Sequence, residues 1–265
     1  PALYNAINNH PKVKNNEIDL SSLRLCFSGS APLPVATKEE FERLSGGSVR
    51  EAFGMSEAPT ATHVNPILKE NRTGSIGLPL PEMDMRIVSL DDGDTDVLVG
   101  EVGELLMAGP NVMTGYYGMP TETENTLREK DGKTWLYTGD IARMDEDGYF
   151  YIVDRKKDMA LIGGFNVYPT SVENVIKSHT AVFEVGVVAI PHPEKVGQEA
   201  LKAWIVLKPG QSATADDIIK HCESKLAQYE IPRRISFIDE LPKSAVGKTL
   251  RRELIRMEME DGEKA

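Results

Sequence analysis

Ser56 and Glu57 stand side by side after Gly54, at the end of the predicted strand 49–53, so a hydroxyl and a carboxylate share one predicted strand end. A hydroxyl donates to a phosphate oxygen, and a carboxylate suits Mg²⁺, which commonly binds through one or two carboxylates plus substrate phosphates. Asp140 follows Thr138-Gly139 and reads as an exposed acceptor for a ribose diol, with a turn-forming aspartate as the alternative. Arg155 could pair with an anionic ligand or belong to the solvated charge run 154–158. Lys248 lies in Ser244-Ala-Val-Gly-Lys-Thr249, a small-residue loop before a predicted helix over 250–259, and such a loop can carry an ammonium into an active site.

Neighbouring patterns offer competing chemistry. Gly247-Lys-Thr249 is not a phosphate-binding P-loop, because Pro242 stands where that motif needs its first glycine. Gly54-Met-Ser-Glu-Ala58 resembles a nucleophile elbow for Ser56, with His63, His179, His192 or His221 as a base. Pro59, however, falls where the elbow's helix should start. No His-Glu-x-x-His occurs, and Cys26 and Cys222 are too isolated for a disulfide framework or a zinc cluster. A reduced, cytoplasmic setting follows as the simpler expectation.

The elements that must position these groups need a chain long enough for two cores. At 265 residues and 40% hydrophobic content, two globular domains are expected. A formal net charge of −11 argues against a nucleic-acid partner or an anionic-membrane face, and no apolar run approaches the ~20 residues of a transmembrane helix. The chain opens at Pro1 in ordinary globular sequence, which suggests a fragment.

The expected fold class is α/β and α+β. A strand over 23–27, a turn at Ser28-Gly-Ser-Ala-Pro-Leu-Pro34, a helix over 35–44 and a stop at Gly46-Gly47 make a strand-loop-helix whose loop lies where α/β proteins bind ligands. The strand 49–53 and the loop 54–57 repeat that logic. Gly29 and Gly54 remain open to the plainer reading of tight turns. From Gly74 the texture is β, with strands at 85–90, 103–108 and 135–137 and one helix over 121–129. A strand over 149–153 stops at the charge run 154–158, read as a solvated hinge. Beyond it, Thr170-Ser-Val-Glu173 predicts a capping box, and strands at 185–190, 201–207 and 235–238 with a helix over 216–226 make a compact α+β module.

Eight segments together are specific. Gly29-Ser-Ala-Pro32, Glu51-Ala-Phe-Gly-Met-Ser-Glu57, Gly100-Glu-Val-Gly-Glu104, Gly115-Tyr-Tyr117, Trp135-Leu-Tyr-Thr-Gly-Asp140, Asp154-Arg-Lys-Lys-Asp158, Gly164-Phe-Asn-Val-Tyr-Pro169 and Leu241-Pro-Lys-Ser-Ala-Val-Gly-Lys248 resemble, in order and spacing, the AMP-forming acyl-CoA synthetases. The wording is closest to long-chain fatty-acid:CoA ligases. The resemblance implies adenylation of a carboxylate by ATP, then thioester formation with coenzyme A and release of AMP.

Carried over by residue, the resemblance places Gly29, Ser30, Ala31, Pro32, Glu51, Ala52, Phe53, Gly54 and Met55 around the nucleotide, with Phe53 where the family usually has Tyr. It gives Ser56, in place of Thr, the α-phosphate and Glu57 the Mg²⁺. Asp140 and Arg155 would hold the ribose with Ile152 nearby, and Lys248 would be the catalytic lysine. Gly163, Gly164 and Phe165 would border the pantetheine path, although Ala160 replaces a larger aliphatic there. The implied domains are 1–156, the C-terminal part of a large AMP-binding domain (α/β over about 1–73, β-rich over about 74–153), and 157–265, a small mobile domain. Its hinge lies at 154–158 and pivots on Lys157. No Ser/Thr/Gly-rich phosphate loop occurs, so this chain by itself is expected to make little acyl-CoA. Implied partners are a fatty acid, ATP and coenzyme A, in the cytoplasm or peripherally at membranes, with homo-oligomerisation left open. Aryl-CoA ligases, carrier-protein-loading enzymes and a serine hydrolase built on Ser56 are the rival readings.

Overall fold

A computed structural model describes residues 1–244 and 247–262, and the chain divides into two compact units, Pro1–Ile152 and Val153–Ala265. Ala245 and Val246 of the predicted lysine loop lie outside the described residues.

The first unit begins with α1 (Ala2–Asn9) and α2 (Pro11–Lys14), then β1 (Leu25–Ser28), α3 (Val35–Ser45), β2 (Ser48–Met55), β3 (Ala58–Val64) and β4 (Leu78–Pro79). The four strands form one sheet in the order β1-β2-β3-β4, parallel only between β1 and β2. A parallel neighbour needs a crossover, and α3 supplies it. That helix ends at Gly46, whose φ of +70° suits a left-handed C-cap without a Cβ penalty. Tyr4 and Phe41 meet edge-to-face at 4.8 Å over Leu33 and Val49, which seals α1 and α3 to the sheet.

The β-rich part holds β5 (Asp84–Val88), β6 (Gly103–Ala108), α4 (Pro120–Thr126), β7 (Leu127–Lys130), β8 (Lys133–Met144) and β9 (Phe150–Arg155). The sheet order is β5-β6-β8-β7, with β9 paired to β8. The predicted helix over 121–129 is cut short, because residues 127–130 pair with 133–136 as a hairpin. Pairing overrides the local helical pattern there. The strand expected at 135–137 runs on to Met144, with an irregularity against β6 between Glu104 and Leu106.

The second unit contains β10 (Ala160–Ile162), β11 (Phe165–Val167), α5 (Pro169–Lys177), β12 (Val182–Pro191), β13 (Glu199–Leu207), α6 (Ala215–Glu223), β14 (Arg234–Phe237) and α7 (Arg251–Gly262). β12, β13 and β14 form a three-stranded sheet, antiparallel then parallel. Val185, Val187, Leu201, Ala203 and Ile205 share a core with Val172 and Ile176 of α5 and Ile218 of α6. Val188, Ile190, Trp204 and Val206 pack instead with Leu254 of α7. Both faces are covered, which is why these strands read as near-continuous apolar runs instead of alternating ones.

Two local expectations are corrected. The run 154–158 is not uniformly solvated: β9 continues through Asp154 and Arg155, and Asp154 is 3% exposed, whereas Arg155, Lys156 and Lys157 are exposed. The capping box at Thr170 is not formed. Tyr168 is the N-cap, the Thr170 N–H donates to Asp154 Oδ2 at 2.8 Å, and Glu173 turns to Arg251.

Candidate active site

The parallel register of β1 and β2 sets Ser28 beside Glu51, so the loop carrying Gly29, Ser30, Ala31 and Pro32 leaves the sheet next to Ala52 and Phe53. This is the carboxyl end of parallel strands, where α/β folds leave a crevice for a ligand. A Cβ on Gly29 would stand 3.1 Å from the Ala52 carbonyl oxygen, and Ser30 adopts a φ of +69°, so the loop hugs β2. Ser28 Oγ is buried there without a hydrogen-bond partner, a polar atom suited to a ligand's donor or acceptor. Glu51 does not offer both its groups to such a ligand: its Oε1 accepts the Gly74 N–H at 3.2 Å and its carbonyl accepts the Asn65 N–H.

Ser56 and Glu57 are the two residues of a hairpin turn, since Met55 pairs with Ala58 across it. The expected repeat of strand, loop and helix is therefore absent at this point. So is the strand-turn-helix that a nucleophile elbow requires. Gly54 serves the hairpin itself, because a Cβ there would lie 2.2 Å from the Thr60 carbonyl oxygen. Ser56 is exposed and Glu57 half-buried, with the Glu57 carboxylate accepting the Tyr116 hydroxyl at 2.8 Å and its carbonyl accepting the Met113 N–H at 2.8 Å. One carboxylate beside an exposed hydroxyl fits an ion that takes its remaining ligands from phosphate and water, as Mg²⁺ does.

His63, the candidate base in the same unit, is fully buried on β3 against the Phe150 ring, and its Nδ1 meets Thr62 Oγ1 at 3.0 Å. Burial pushes its imidazole down to about 3, so it is neutral at neutral pH. Phe53, Met55 and Ile152 pack on one apolar cluster built from Ala58, Leu105, Met107 and Phe150, which joins three of the predicted nucleotide-binding residues. Asp140 lies on β8 just after Gly139, whose φ of +68° kinks the strand. It is 2% exposed, a correction to the exposed acceptor expected from sequence, and its N–H donates to Thr138 Oγ1.

In the second unit Gly163 and Gly164 form the two-residue turn between β10 and β11, with φ of +61° and +86°. Such a turn needs positive φ at both positions. Phe165 follows it and stacks on Tyr229 at 4.4 Å with an 8° interplanar angle. Beside Gly163 opens a cavity of about 280 Å³ whose lining includes His192, Lys195, Tyr229 and Arg233. Sequence reasoning weighed His192 only as a base for Ser56 and missed Lys195, Tyr229 and Arg233. The four come from two segments, 192–195 and 229–233, and none sits in a motif with a local signal. Glu199 also lines it, with its Oε2 accepting the Leu161 N–H, so Lys195 and Arg233 leave a positive balance beside an aromatic wall, which suits a phosphate-bearing ligand with a planar base.

Lys248 is exposed on a tight hairpin closed by the Lys243–Thr249 bridge. Its N–H donates to Ser244 Oγ and its carbonyl accepts the Ser244 N–H. Lys157 sits in the short 3-10 turn Lys156–Asp158. Cys222 is buried in the core, and burial pushes its thiol up to about 11, which removes it as a nucleophile.

Residues 1–117 match the family model for AMP-binding enzyme, and residues 171–248 match that for AMP-binding enzyme C-terminal domain. A long-chain-fatty-acid–CoA ligase of Bacillus subtilis is 44% identical over 261 residues, covering 98% of this chain and 45% of the relative. One from Yersinia pestis is 44% identical over 260 residues, covering 98% and 44%. The chain thus spans less than half the length of these relatives. Among solved structures, ATP-bound MatB from Rhodopseudomonas palustris superposes with a TM-score of 0.85 at 29% identity, covering 97% of this chain and 49% of that one. MenE, the O-succinylbenzoate coenzyme A synthetase of Bacillus subtilis in complex with AMP, gives 0.75 at 31% identity, covering 96% and 48%.

Proposed function

Because the chain belongs to the AMP-binding enzymes, we propose that it works in an AMP-forming fatty acid:CoA ligase. The observation that carries this reading is the 44% identity, over 98% of the chain, to a long-chain-fatty-acid–CoA ligase. In the first step a fatty-acid carboxylate oxygen attacks the α-phosphorus of ATP and the bond to pyrophosphate breaks. In the second the coenzyme A thiol loses its proton, its sulfur attacks the acyl carbon, and AMP leaves.

Each residue has a task in this scheme. Gly29, Ser30, Ala31 and Pro32, with Glu51, Ala52, Phe53, Gly54 and Met55, shape the nucleotide crevice by close backbone approach and apolar packing. Ser56 donates to the α-phosphate, and Glu57 holds Mg²⁺, which when bound neutralises charge on the phosphates. Asp140 and Arg155 orient the ribose and Ile152 packs beside the nucleotide. Lys248 stabilises negative charge as it develops between the carboxylate and the α-phosphate. Gly163, Gly164 and Phe165 border the path of pantetheine, and Lys195, Arg233 and Tyr229 give the phosphates and base of coenzyme A a basic, aromatic seat. Residues 157–265 act as the mobile domain with Lys157 as pivot. No helix among the described residues is long and apolar enough to cross a membrane. We place the activity in the cytoplasm, where thiols such as Cys26 and Cys222 stay reduced.

The test is ATP–pyrophosphate exchange by the full-length protein with a panel of fatty and aryl carboxylic acids, repeated with K248A. Exchange should be strongest with long-chain fatty acids, and K248A should lower it by about a hundredfold or more. Exchange confined to aryl acids, or an unaffected K248A, overturns the assignment.

A further inference from the structure

We propose that Arg251 is a positioning residue for Lys248, fixing the lysine hairpin to the segment that flanks Lys157 and to α5. This inference rests on the ligase reading for the role of Lys248, but not for the geometry. Arg251 is the first residue of α7, three positions after Lys248. Its Nη1 donates to Asp154 Oδ1 at 3.1 Å and to Asp158 Oδ2 at 2.9 Å. Its Nη2 donates to Thr170 Oγ1 at 2.8 Å and Glu173 Oε1 at 3.0 Å, and its Nε reaches the same Glu173 oxygen at 3.3 Å. One planar fork thus engages four residues of two segments, a geometry a lysine ammonium cannot reproduce.

The acceptors are themselves fixed. Asp154 also takes the Arg155 and Thr170 N–H groups, and Glu173 takes the Val187 N–H. The hairpin carrying Lys248 has bonds that set its shape, namely the Lys243–Thr249 bridge and Leu250 N–H to the Pro242 carbonyl. Those bonds lie inside the hairpin and say nothing of where it points. At its base Lys243 Nζ donates to Glu184 Oε1 of β12 at 2.6 Å, and Arg251, three positions past Lys248, adds the tie to 154–158 and to α5.

A fold-stabilising role alone accounts poorly for this arrangement. α7 is already anchored further along, by fully buried Leu254 and by Glu258, which pairs with both Lys202 and Arg234. Three carboxylates around one guanidinium exceed what charge balance needs, and gathering them in a largely buried place is costly unless the geometry matters. Burial opposes the charge on Arg251, yet Glu173, Asp154 and Asp158 hold its pKa above the usual arginine value, while burial pushes the Glu173 carboxyl up. Asp154 and Asp158 stand on either side of Lys157 in sequence, so the same cation that steadies the lysine hairpin grips both ends of the proposed pivot.

The test separates the half-reactions in the full-length protein, using R251M and R251K, each alone and with K248A. R251M should lower the kcat of ATP–pyrophosphate exchange about ten- to a hundredfold, as a misplaced catalytic group does, with the KM for ATP within about twofold. Thioester formation from prepared acyl-adenylate should stay within about threefold, and in the K248A background R251M should add less than about threefold, because the two residues act as one unit. R251K, which keeps the charge but loses the fork, should fall between and covers the case in which R251M does not fold. Hydrogen–deuterium exchange of segment 243–250 should quicken in both variants. Equal losses in the two half-reactions, additivity with K248A, or unchanged exchange of that segment overturns the proposal. A neutral K248A would sink the ligase reading instead, and the exchange rates of segment 243–250 would still decide whether Arg251 positions the hairpin.

Discussion

The Tyr116 hydroxyl donates to the Glu57 carboxylate across 2.8 Å, joining a loop residue to a hairpin turn 59 positions earlier in the chain. Burial and then the Glu57 charge push the Tyr116 phenol above its usual value, so the donor persists through neutral and mildly alkaline pH. A carboxylate held this way is restricted in its rotamers, which suits the cation-holding role proposed for Glu57.

Replacing the phenol by phenyl should therefore weaken Mg²⁺ use without changing the chemistry. A hydrogen bond to a charged group contributes about 1.5 kcal/mol, close to tenfold in an equilibrium constant. Tyr116→Phe is expected to raise the half-saturating Mg²⁺ concentration in ATP–pyrophosphate exchange by about that factor, with kcat at saturating Mg²⁺ within about threefold. An unchanged Mg²⁺ dependence would show that Glu57 needs no such support.

His63 makes acid stability a direct readout of the first unit's core. Its folded-state value is pushed down to about 3 by burial, against an ordinary 6.5. Between those values the unfolded chain binds a proton that the folded chain refuses, so stability is full above pH 6.5 and falls as pH drops toward 3. The slope is about 1.4 kcal/mol per pH unit, or about 2 kcal/mol lost at pH 5. Urea unfolding followed at Trp135 in a W204F background should show this loss. His63→Gln, which cannot titrate, should flatten it, and equal slopes for the two proteins would refute the assignment.

What the sequence made legible and what it hid divide along one physical line, the range of the interactions. Strands β12 and β13 were readable because both faces are covered, which writes apolar residues into consecutive positions. The Gly46 stop and the Gly163-Gly164 turn were readable because backbone geometry demands glycine locally. Asp154 was not, since a charge among charges looks solvated until Arg251, 97 positions later, supplies its partner. Thr170 and Glu173 carry the letters of a capping box, but a buried cation outbids a backbone amide for Glu173. Within the candidate site, the loop 29–32 and the residues 51–57 sit on contiguous motifs. Lys195, Tyr229 and Arg233 come together only through the fold.

Gly77 and Gly74 offer a paired test of what the first unit's backbone requires. Both have positive φ, +96° and +82°. A Cβ on Gly77 would meet the Val64 carbonyl carbon at 2.1 Å and the Asn65 nitrogen at 2.3 Å, whereas one on Gly74 would meet nothing within 4 Å. Gly74→Ala should cost only the left-handed conformation, about 1 kcal/mol. Gly77→Ala adds a backbone clash beside the Gly77–Phe150 bridge and should cost more than about 3 kcal/mol or leave the protein insoluble. Similar urea midpoints for the two variants would contradict the packing described around Gly77.

The turn at Gly163 should separate folding from thiol chemistry. Its φ of +61° and that of Gly164 at +86° fit the turn for which Asn-Gly is the preferred pair. Gly163→Asn is therefore expected to unfold within about 0.5 kcal/mol of the parent in urea. Gly163→Val puts a β-branched residue in the left-handed region, at a cost of about 1–3 kcal/mol, and places bulk at the lip of the cavity that Lys195 and Arg233 line. If that cavity seats coenzyme A, the valine variant should need about tenfold more coenzyme A for half-maximal thioester formation, a loss of about 1.4 kcal/mol. Its ATP–pyrophosphate exchange should stay within about twofold, since adenylation precedes the thiol step. Initial rates against coenzyme A concentration decide it: a matching fall in exchange would mean that the turn supports adenylation, and the cavity would lose its assignment.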